Sequence, residues 1–386
     1  MNFSKAMKAA VIIFTGAIAA AGLTACGGIK TAADSPSKSG VKVGFIAALT
    51  GGAAAYGKSQ EEGIRMAVEE INQKGVIPIE LFVEDSKGSP SDAMNVTKRL
   101  IQKKAAVIIG PMTSNEAKAA GPIMQNAKIP SLEISVTAEG ITEIGDYIFR
   151  NSVPESMNIP QTAKKTHRLL GYETAAILYA HDNEQHVTAQ KYFRKTLEEE
   201  GVKIVDVETF GSKDSEYSAQ LTNIENAKPD VVIVCSYYQE GARILKKMRE
   251  MGMNQPVLGD NGFVSPELGK MADAAADNVY VSSMWSAARD TAATKTFVEN
   301  YTKKYGHAPD QFAAAAYDGV YMAMDAVQRA GSVTDTRKIR DAMAEMKGFN
   351  GVCGTFSFDD KRDPVVDLVL LKMEDGVFLA VGKQSS

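Results

Sequence analysis

Between Ala106 and Thr137 the chain carries two short runs that leave little choice of architecture. The first reads Ala-Val-Ile-Ile-Gly-Pro-Met-Thr-Ser from Ala106 to Ser114, and the second Ile-Pro-Ser-Leu-Glu-Ile-Ser-Val-Thr from Ile129 to Thr137. Continuous apolar residues, rather than alternating ones, mark strands buried on both faces, and such strands belong to parallel sheets covered by helices. The interval Asn115 to Ala127 reads as the helix that carries the chain from one strand to the next. Ser114 stands where it would cap that helix, whose free N–H groups and dipole attract an anion. Thr137 closes the neighbouring strand. Adjacent strand ends in an open α/β sheet border the crevice where ligands bind, so these hydroxyls are candidates for holding a carboxylate.

The same grammar fills the rest of the chain. Val41 to Ala48 reads as a strand, and Ser59 to Gln73 as a helix with Ile64, Ala67, Val68 and Ile71 at i, i+3, i+4 and i+7. Ile79 to Val83 is a second strand and Ser91 to Lys103 a second helix. Tyr147 to Val153 reads as a crossing strand, after which the alternation restarts. Strands are expected at Ala175 to Tyr179, Lys203 to Phe210, Val231 to Ser236, Pro256 to Leu258 and Val279 to Met284. Helices Gln185 to Glu199, Glu216 to Asn226 and Gln239 to Met251 fall between them; Ala292 to Tyr305, Phe312 to Ala330 and Thr336 to Met346 follow. The tail, Gly354 to Val381, reads as strands. This is too much chain for one ordinary core, so two doubly wound lobes are expected.

The first residues read as a leader. Lys5 and Lys8 precede an uncharged run from Ala9 to Leu23, which suits a secretory signal core and is short for a membrane span. The run ends in Leu23-Thr24-Ala25-Cys26-Gly27, which resembles the bacterial lipoprotein cleavage box. On that reading residues 1–25 are removed, Cys26 is lipidated, and 26–40 form a flexible tether to the membrane. Loss of Lys5 and Lys8 takes the formal net charge from −4 to −6. A mildly acidic chain with no basic run has no electrostatic means of holding nucleic acid. Cys235 and Cys353 both lie in apolar runs; the pattern admits pairing in an oxidising compartment and favours burial as free thiols.

One motif points elsewhere. Gly52-Ala53-Ala54-Ala55-Tyr56-Gly57-Lys58-Ser59 matches the phosphate-cradling G-x-x-x-x-G-K-S pattern between a strand and a helix, with Asp85 as the candidate acidic partner. A nucleotide hydrolase is therefore a rival reading, weakened by an export signal and by the lack of any further catalytic mark. His181 and His186 are five apart with no Cys or carboxylate cluster at ligand spacing, so no zinc site is expected. G-x-S-x-G, C-x-x-C and H-E-x-x-H are absent. No cofactor or metal is expected. Trp285, Tyr237 and Tyr238 fall at strand ends, where they either line a pocket or fill core.

Several stretches together resemble the substrate-binding lipoproteins of ABC transporters for branched-chain amino acids, the leucine/isoleucine/valine-binding group. They are Leu49 to Gly57, Ile109 to Ser114, Ser135-Val136-Thr137, Gly259 to Phe263, and Phe312 with Tyr317-Asp318-Gly319. The resemblance implies a type I periplasmic binding protein fold: two doubly wound parallel-sheet lobes joined by three hinge strands and closing on a ligand. It divides the chain into a first lobe of 41–152 plus 285–353 and a second of 153–284 plus 354–386. Crossings are expected near Asn151 to Val153, Met284 to Ala287 and Val352 to Gly354. By the same resemblance the α-carboxylate of the ligand meets Ser114 and Thr137 through hydroxyls and backbone N–H, and the adjoining Thr113 and Val136 are also candidate ligand-binding residues. The amine meets Thr137, the Ser135 carbonyl and a second-lobe acid, while Tyr56, Met112, Tyr237 and Phe312 enclose the side chain. It implies no enzymatic activity, a membrane permease as partner, an extracytoplasmic location and a monomer.

Two departures stand out. The second-lobe acid falls at Asn261, with Asp260 just before it, and an amide supplies no charge to a buried ammonium. Either Asp260 takes that role or the ligand is an amide, an aromatic acid or another small carboxylate. Where the family often has an aromatic followed by Gly, this chain has His186-Val187, so a cleft histidine and a solvent-facing one are both open.

Overall fold

Two sheets organise residues 40–382, the part of the chain that this computed structural model describes. The expected leader, the lipidation site Cys26 and the tether up to residue 39 lie outside the described residues. The first sheet is built from β1 (Val41–Ala47), β2 (Ile79–Asp85), β3 (Val107–Ile109), β4 (Ser131–Glu133) and β5 (Ile148–Arg150). All its neighbours run parallel, in the order β2-β1-β3-β4-β5. Helices α1 (Ala54–Lys74), α2 (Pro90–Gln102) and α3 (Ser114–Ala127) make its crossovers. After α4 (Glu155–Leu170) the pattern repeats as β6 (Thr174–Ala180), α5 (Glu184–Glu199), β7 (Lys203–Phe210), α6 (Ser218–Ala227), β8 (Val231–Cys235), α7 (Tyr238–Glu250), β9 (Val257–Gly259), α8 (Pro266–Ala272) and β10 (Val279–Ser283). Then come α9 (Ala292–Tyr305), α10 (Gln311–Ala330), α11 (Thr336–Ala344), and strands β11 (Phe349–Gly351), β12 (Gly354–Phe358), β13 (Pro364–Val365), β14 (Val369–Glu374) and β15 (Val377–Ala380).

The second sheet runs β15-β14-β10-β9-β8-β6-β7, parallel from β7 to β10 and antiparallel beyond. Its parallel part repeats the strand order of the first sheet. In each, the order reverses beside the first strand of the unit, between β1 and β3 and between β6 and β8. The sequence follows this placement. The interior strands β3 and β8 are buried at every residue and wholly apolar, whereas edge strand β7 alternates polar and apolar residues. Among the described residues no helix is long and apolar enough to cross a membrane.

Helix α10 returns from the second lobe to pack on α1. The helices meet so closely at Gly63 that a Cβ there would stand 2.2 Å from the Ala313 carbonyl oxygen. Tyr317 and Tyr321 fix the register by donating to the Glu70 carboxylate at 2.6 and 2.7 Å. Gly57 has a similar reason to be glycine: a Cβ there would lie 2.0 Å from the Ala48 carbonyl oxygen. The phosphate-loop match thus dissolves. Helix α1 begins at Ala54, five residues earlier than the periodicity suggests, so Ala54 to Ser59 are helix rather than cradle. Asp85 accepts from the Leu49 and Lys87 amides and from the Thr50 hydroxyl, which fixes this turn.

Three further expectations are corrected. Ser114 is the first residue of α3, not its cap; Thr113 caps it through a reciprocal box with Glu116. The T-x-x-E spacing that carries this box was present in the sequence. Tyr147 to Val153 shortens to the three residues of β5. Val352 to Gly354 is the turn of the β11–β12 hairpin, tied to α10 where Asp318 accepts from the Val352 and Cys353 amides at 2.8 Å. Strands β11, β12 and β13 form a small sheet of their own, and the chain joins the second sheet only at Val369. Cys235 and Cys353 are both buried and unpaired.

Arg150 holds this last segment in place. Its side chain is 3% exposed, pairs with Asp363 through Nε at 2.6 Å and Nη2 at 3.1 Å, and donates from Nη1 to the carbonyls of Val136 and Ala138. Arg150→Met should lower unfolding free energy by about 3–5 kcal/mol in urea titration, because it leaves the mostly buried Asp363 carboxylate without its partner.

Glu133, at the end of β4, is fully buried, with a hydrogen bond from Ser131 and none to its second oxygen. Burial, and then the neighbouring Glu116 charge, push its carboxyl well above the ordinary range, against the pull of Arg150 and the Ser131 bond. A carboxyl raised in the folded state gives its stability fully below the unfolded value and loses it as pH rises toward the folded one. Glu133→Gln should therefore melt higher than the parent at pH 8, with the gap closing below about pH 4, where a free glutamate protonates.

Candidate ligand-binding site

The two points of strand-order reversal face one another across the space between the sheets, and open α/β sheets take ligands at such points. From the first lobe come the loops after β1, β3 and β4. They bring Tyr56 in the first turn of α1, Thr113 as the cap of α3, and the turn Ser135-Val136-Thr137. From the second come the loops after β6, β8 and β9. These bring His186 in the first turn of α5, Tyr237 as the residue capping α7, and Asp260 and Asn261. Phe312, in the first turn of α10, completes the ring.

A narrow space lies here, walled by Tyr56, Met112, Thr113, Ser135, Gln185, Tyr237, Asn261, Gly262 and Phe312. An adjoining narrow space shares Ser135, Asn261 and Phe312 and adds Asn158, Ser152 and Gln311 among its walls. The aromatic side is tightly joined. The Tyr56 ring centre stands 4.6 Å from Phe312, 5.6 Å from Tyr237 and 5.0 Å from Tyr238.

Tyr56 also bridges the lobes. Its hydroxyl donates to the Gly262 carbonyl at 2.5 Å and accepts from the Tyr238 amide at 2.9 Å. Further bridges run from Thr137 Oγ1 to Glu155, from Gln311 Nε2 to the Asn261 side chain, and between Asn115 and residues 182–184. At the rim, Lys118 pairs with Glu184 and Lys191 with Glu139. The lobes are in the closed arrangement.

The predicted residues divide by what their polar atoms touch. Tyr56, Met112, Thr113, Ser135, Tyr237, Asn261 and Phe312 line the space. Ser114 is fully buried behind it, its hydroxyl accepting from the Ala138 amide at 3.2 Å. Val136 turns its side chain into the apolar layer with Ile46 and Ile108, while its carbonyl accepts from Ser152. Ser135 Oγ donates to the Met112 carbonyl at 2.6 Å and accepts from Gln60 Nε2 at 2.8 Å, which locks the β3 and β4 loops together.

His186 is not solvent-facing: its side chain is 1% exposed, and Nδ1 lies 2.6 Å from Asp260 Oδ2. The other Asp260 oxygen accepts from the Gly262 amide at 3.0 Å. Both oxygens of Asp260 are thus engaged, and His186 packs edge-on against Tyr237 at 4.8 Å.

Glu155 was not anticipated. It is the first residue of α4 and fully buried, and its Oε1 accepts from Thr137 Oγ1 at 3.1 Å and the Asn261 amide at 3.3 Å. Its Oε2 accepts from Asn158 Nδ2 at 3.3 Å. Burial, and then the Asp260 charge, push its carboxyl well above the ordinary range against these bonds. Gln60, Asn158, Gln185 and Gln311 were missed as well. Gln60 had a signal, since it follows Tyr56 by one helical turn and shares its face. Among the described residues no cluster of three or more His, Cys, Asp or Glu has a geometry for holding a metal ion.

Residues 40–376 match the family described as periplasmic binding protein. The branched-chain amino acid transporter substrate binding protein of Streptococcus pneumoniae, solved in complex with isoleucine, is 30% identical, with a TM-score of 0.84 over 88% of this chain and 98% of that one. A solute binding protein of an ABC transporter from Rhodopseudomonas palustris, solved with 3,4-dihydroxybenzoic acid, is 27% identical, with a TM-score of 0.81 over 88% and 96%. The leucine-, isoleucine-, valine-, threonine- and alanine-binding protein of Pseudomonas aeruginosa is 24% identical over 328 residues, 84% of this chain and 87% of its own length. With its two sheets of one strand order closed on a shared cleft, the chain belongs to the periplasmic binding protein family.

Proposed function

We propose that this chain is the extracytoplasmic solute-binding subunit of an ABC importer and that its ligand is a small α-amino acid of the branched-chain or a related class. It makes and breaks no bond. The observation that carries the reading is the meeting of the α3 N-terminus with the Ser135–Thr137 turn at an apolar, aromatic-walled space. Free N–H groups and a helix dipole suit a carboxylate there, with Ser114 and Thr137 beside them. The wall of Tyr56, Met112, Tyr237 and Phe312 suits an apolar side chain. The isoleucine complex of the Streptococcus pneumoniae relative supports this class. The first lobe would comprise 41–152 plus 285–353 together with the β11–β13 sheet, and the second the remainder. A permease would read the closed lobes, and lipid on Cys26 would keep the monomer at the membrane.

A second reading keeps the fold and exchanges the ligand for an aromatic acid. The Rhodopseudomonas palustris complex and the rings around Tyr56 favour it. Thermal-shift titration with leucine, isoleucine, valine and benzoate separates the two: stabilisation by the amino acids alone supports the first, and by benzoate alone the second.

Two variants test the geometry. The double substitution Ser114→Ala with Thr137→Ala should abolish ligand-induced stabilisation while the ligand-free protein still unfolds cooperatively; a surviving shift sinks the carboxylate assignment. Tyr56→Phe removes the hydroxyl shared by Gly262 and Tyr238 and should weaken ligand affinity by about tenfold in calorimetric titration, the worth of roughly one to two net hydrogen bonds.

A further inference from the structure

Most of the polar groups that wall the cleft are satisfied inside the protein. The Tyr56 hydroxyl serves Gly262 and Tyr238, and the Ser135 hydroxyl serves Met112 and Gln60. The Thr113 hydroxyl donates to Glu116 Oε2 and accepts from the Glu116 amide, and Asn261 Oδ1 accepts from Gln311. Gln185 is different. It stands in the first turn of α5, is 3% exposed and walls the narrow space together with Tyr237. Its backbone N–H donates to Asn183 Oδ1, while its side-chain Nε2 is buried without a partner among the described residues.

A buried amide end with no partner has given up its bonds to water and received none in return, which is rare enough in a native protein to need a cause. A glutamine amide carries donors at one end and an acceptor at the other within one outline. Exchanging the ends would only trade an unmet donor for an unmet acceptor. A hydroxyl or an amide on the ligand answers either end, because each both donates and accepts. A methyl group answers neither. The ligand carboxylate has its donors elsewhere in the reading above, at the α3 N-terminus and the first-lobe hydroxyls, whereas Gln185 belongs to the second-lobe wall with Tyr237 and Asn261. An aromatic-walled space with one unmet polar end orients a ligand by that end.

We infer that Gln185 is a specificity-determining residue of the cleft, selecting ligands whose side chain or ring carries a hydroxyl or amide group over apolar ones of the same outline. The inference rests on the solute-binding reading above and narrows its ligand class. Within the amino acids it favours a polar counterpart of the branched aliphatic ones, and within the aromatic acids a ring that bears a hydroxyl. A site built to bond such a group rejects the analogue that lacks it, because the protein's own group is then left unmet.

Calorimetric titration of the mature chain with matched pairs tests this: threonine against valine, asparagine against leucine, and 4-hydroxybenzoate against benzoate. In at least one pair the parent should prefer the polar member by about tenfold or more, the worth of one buried polar group left unmet. Gln185→Met keeps the length and suits the helix but removes both polar ends. It should shrink that preference by a similar factor, by weakening the polar member and not the apolar one. Gln185→Ala should do the same and stands in if the methionine variant does not fold. Three results overturn the role of Gln185 and leave the solute-binding reading intact, since a ligand is still bound: a parent that binds the apolar members as tightly or more tightly, a ratio unchanged in the variants, or equal weakening of both members of a pair. A parent that binds no member of the panel overturns both.

Discussion

Arg150 makes one side chain answer for three parts of the molecule. It stands on the last strand of the first sheet, its guanidinium is pinned by Asp363 from the β13 end of the small sheet, and its remaining donors hold the carbonyls on either side of Thr137. An arginine suits this post because its fixed fork fits a carboxylate and two carbonyls at once, which a lysine ammonium does not. Taking such a pair out of water is costly, so its value lies less in net stability than in fixing one arrangement. Through it, the turn that carries Ser135 and Thr137 is positioned by a segment more than two hundred residues away. Arg362 reinforces the same joint by donating to the carbonyls of Ile148 and Thr142.

Given that frame, the cleft follows from topology. Two parallel units of identical strand order each turn the N-termini of their crossover helices toward the reversal point. Facing such units across a gap concentrates positive helix ends on one small volume, which favours an anion. The buried carboxyl groups of Asp260 and Glu155 lie on the second-lobe side.

The architecture was legible because it depends on pattern. Continuous apolar runs such as Ala106 to Ile109 and Val231 to Cys235 can be satisfied only inside a covered parallel sheet, and their number sets two lobes. Boundaries were less legible where packing overrides local signals. Helix α1 starts at Ala54 although no side chain caps it, because Gly57 lets the helix press against the end of β1. The resemblance put the third crossing at Val352 to Gly354, but the structure has a hairpin turn there, held by backbone pairing and by the carboxylate of Asp318, 34 residues earlier. At the cleft, the residues whose type advertises a role were named from the sequence, and the structure places Tyr56, Thr113, Ser135, Tyr237 and Phe312 around the space. Glu155 was not, since an acid following proline at a helix start is ordinary and its meaning comes from partners 18 and 106 residues distant.

Closure of the lobes rests on bonds that are each of small net worth. In an open cleft the Tyr56 hydroxyl, the Thr137 hydroxyl and the Gln311 amide bond to water, so the bonds they make on closing contribute only about 1 kcal/mol each beyond what they replace. Against that gain stands the desolvation of Glu155, which is buried beside Asp260 in the closed arrangement. A ligand shifts the balance between open and closed forms only by binding the closed one better. Discrimination between ligands therefore resides in the equilibrium between open and closed lobes as much as in contacts with the bound molecule.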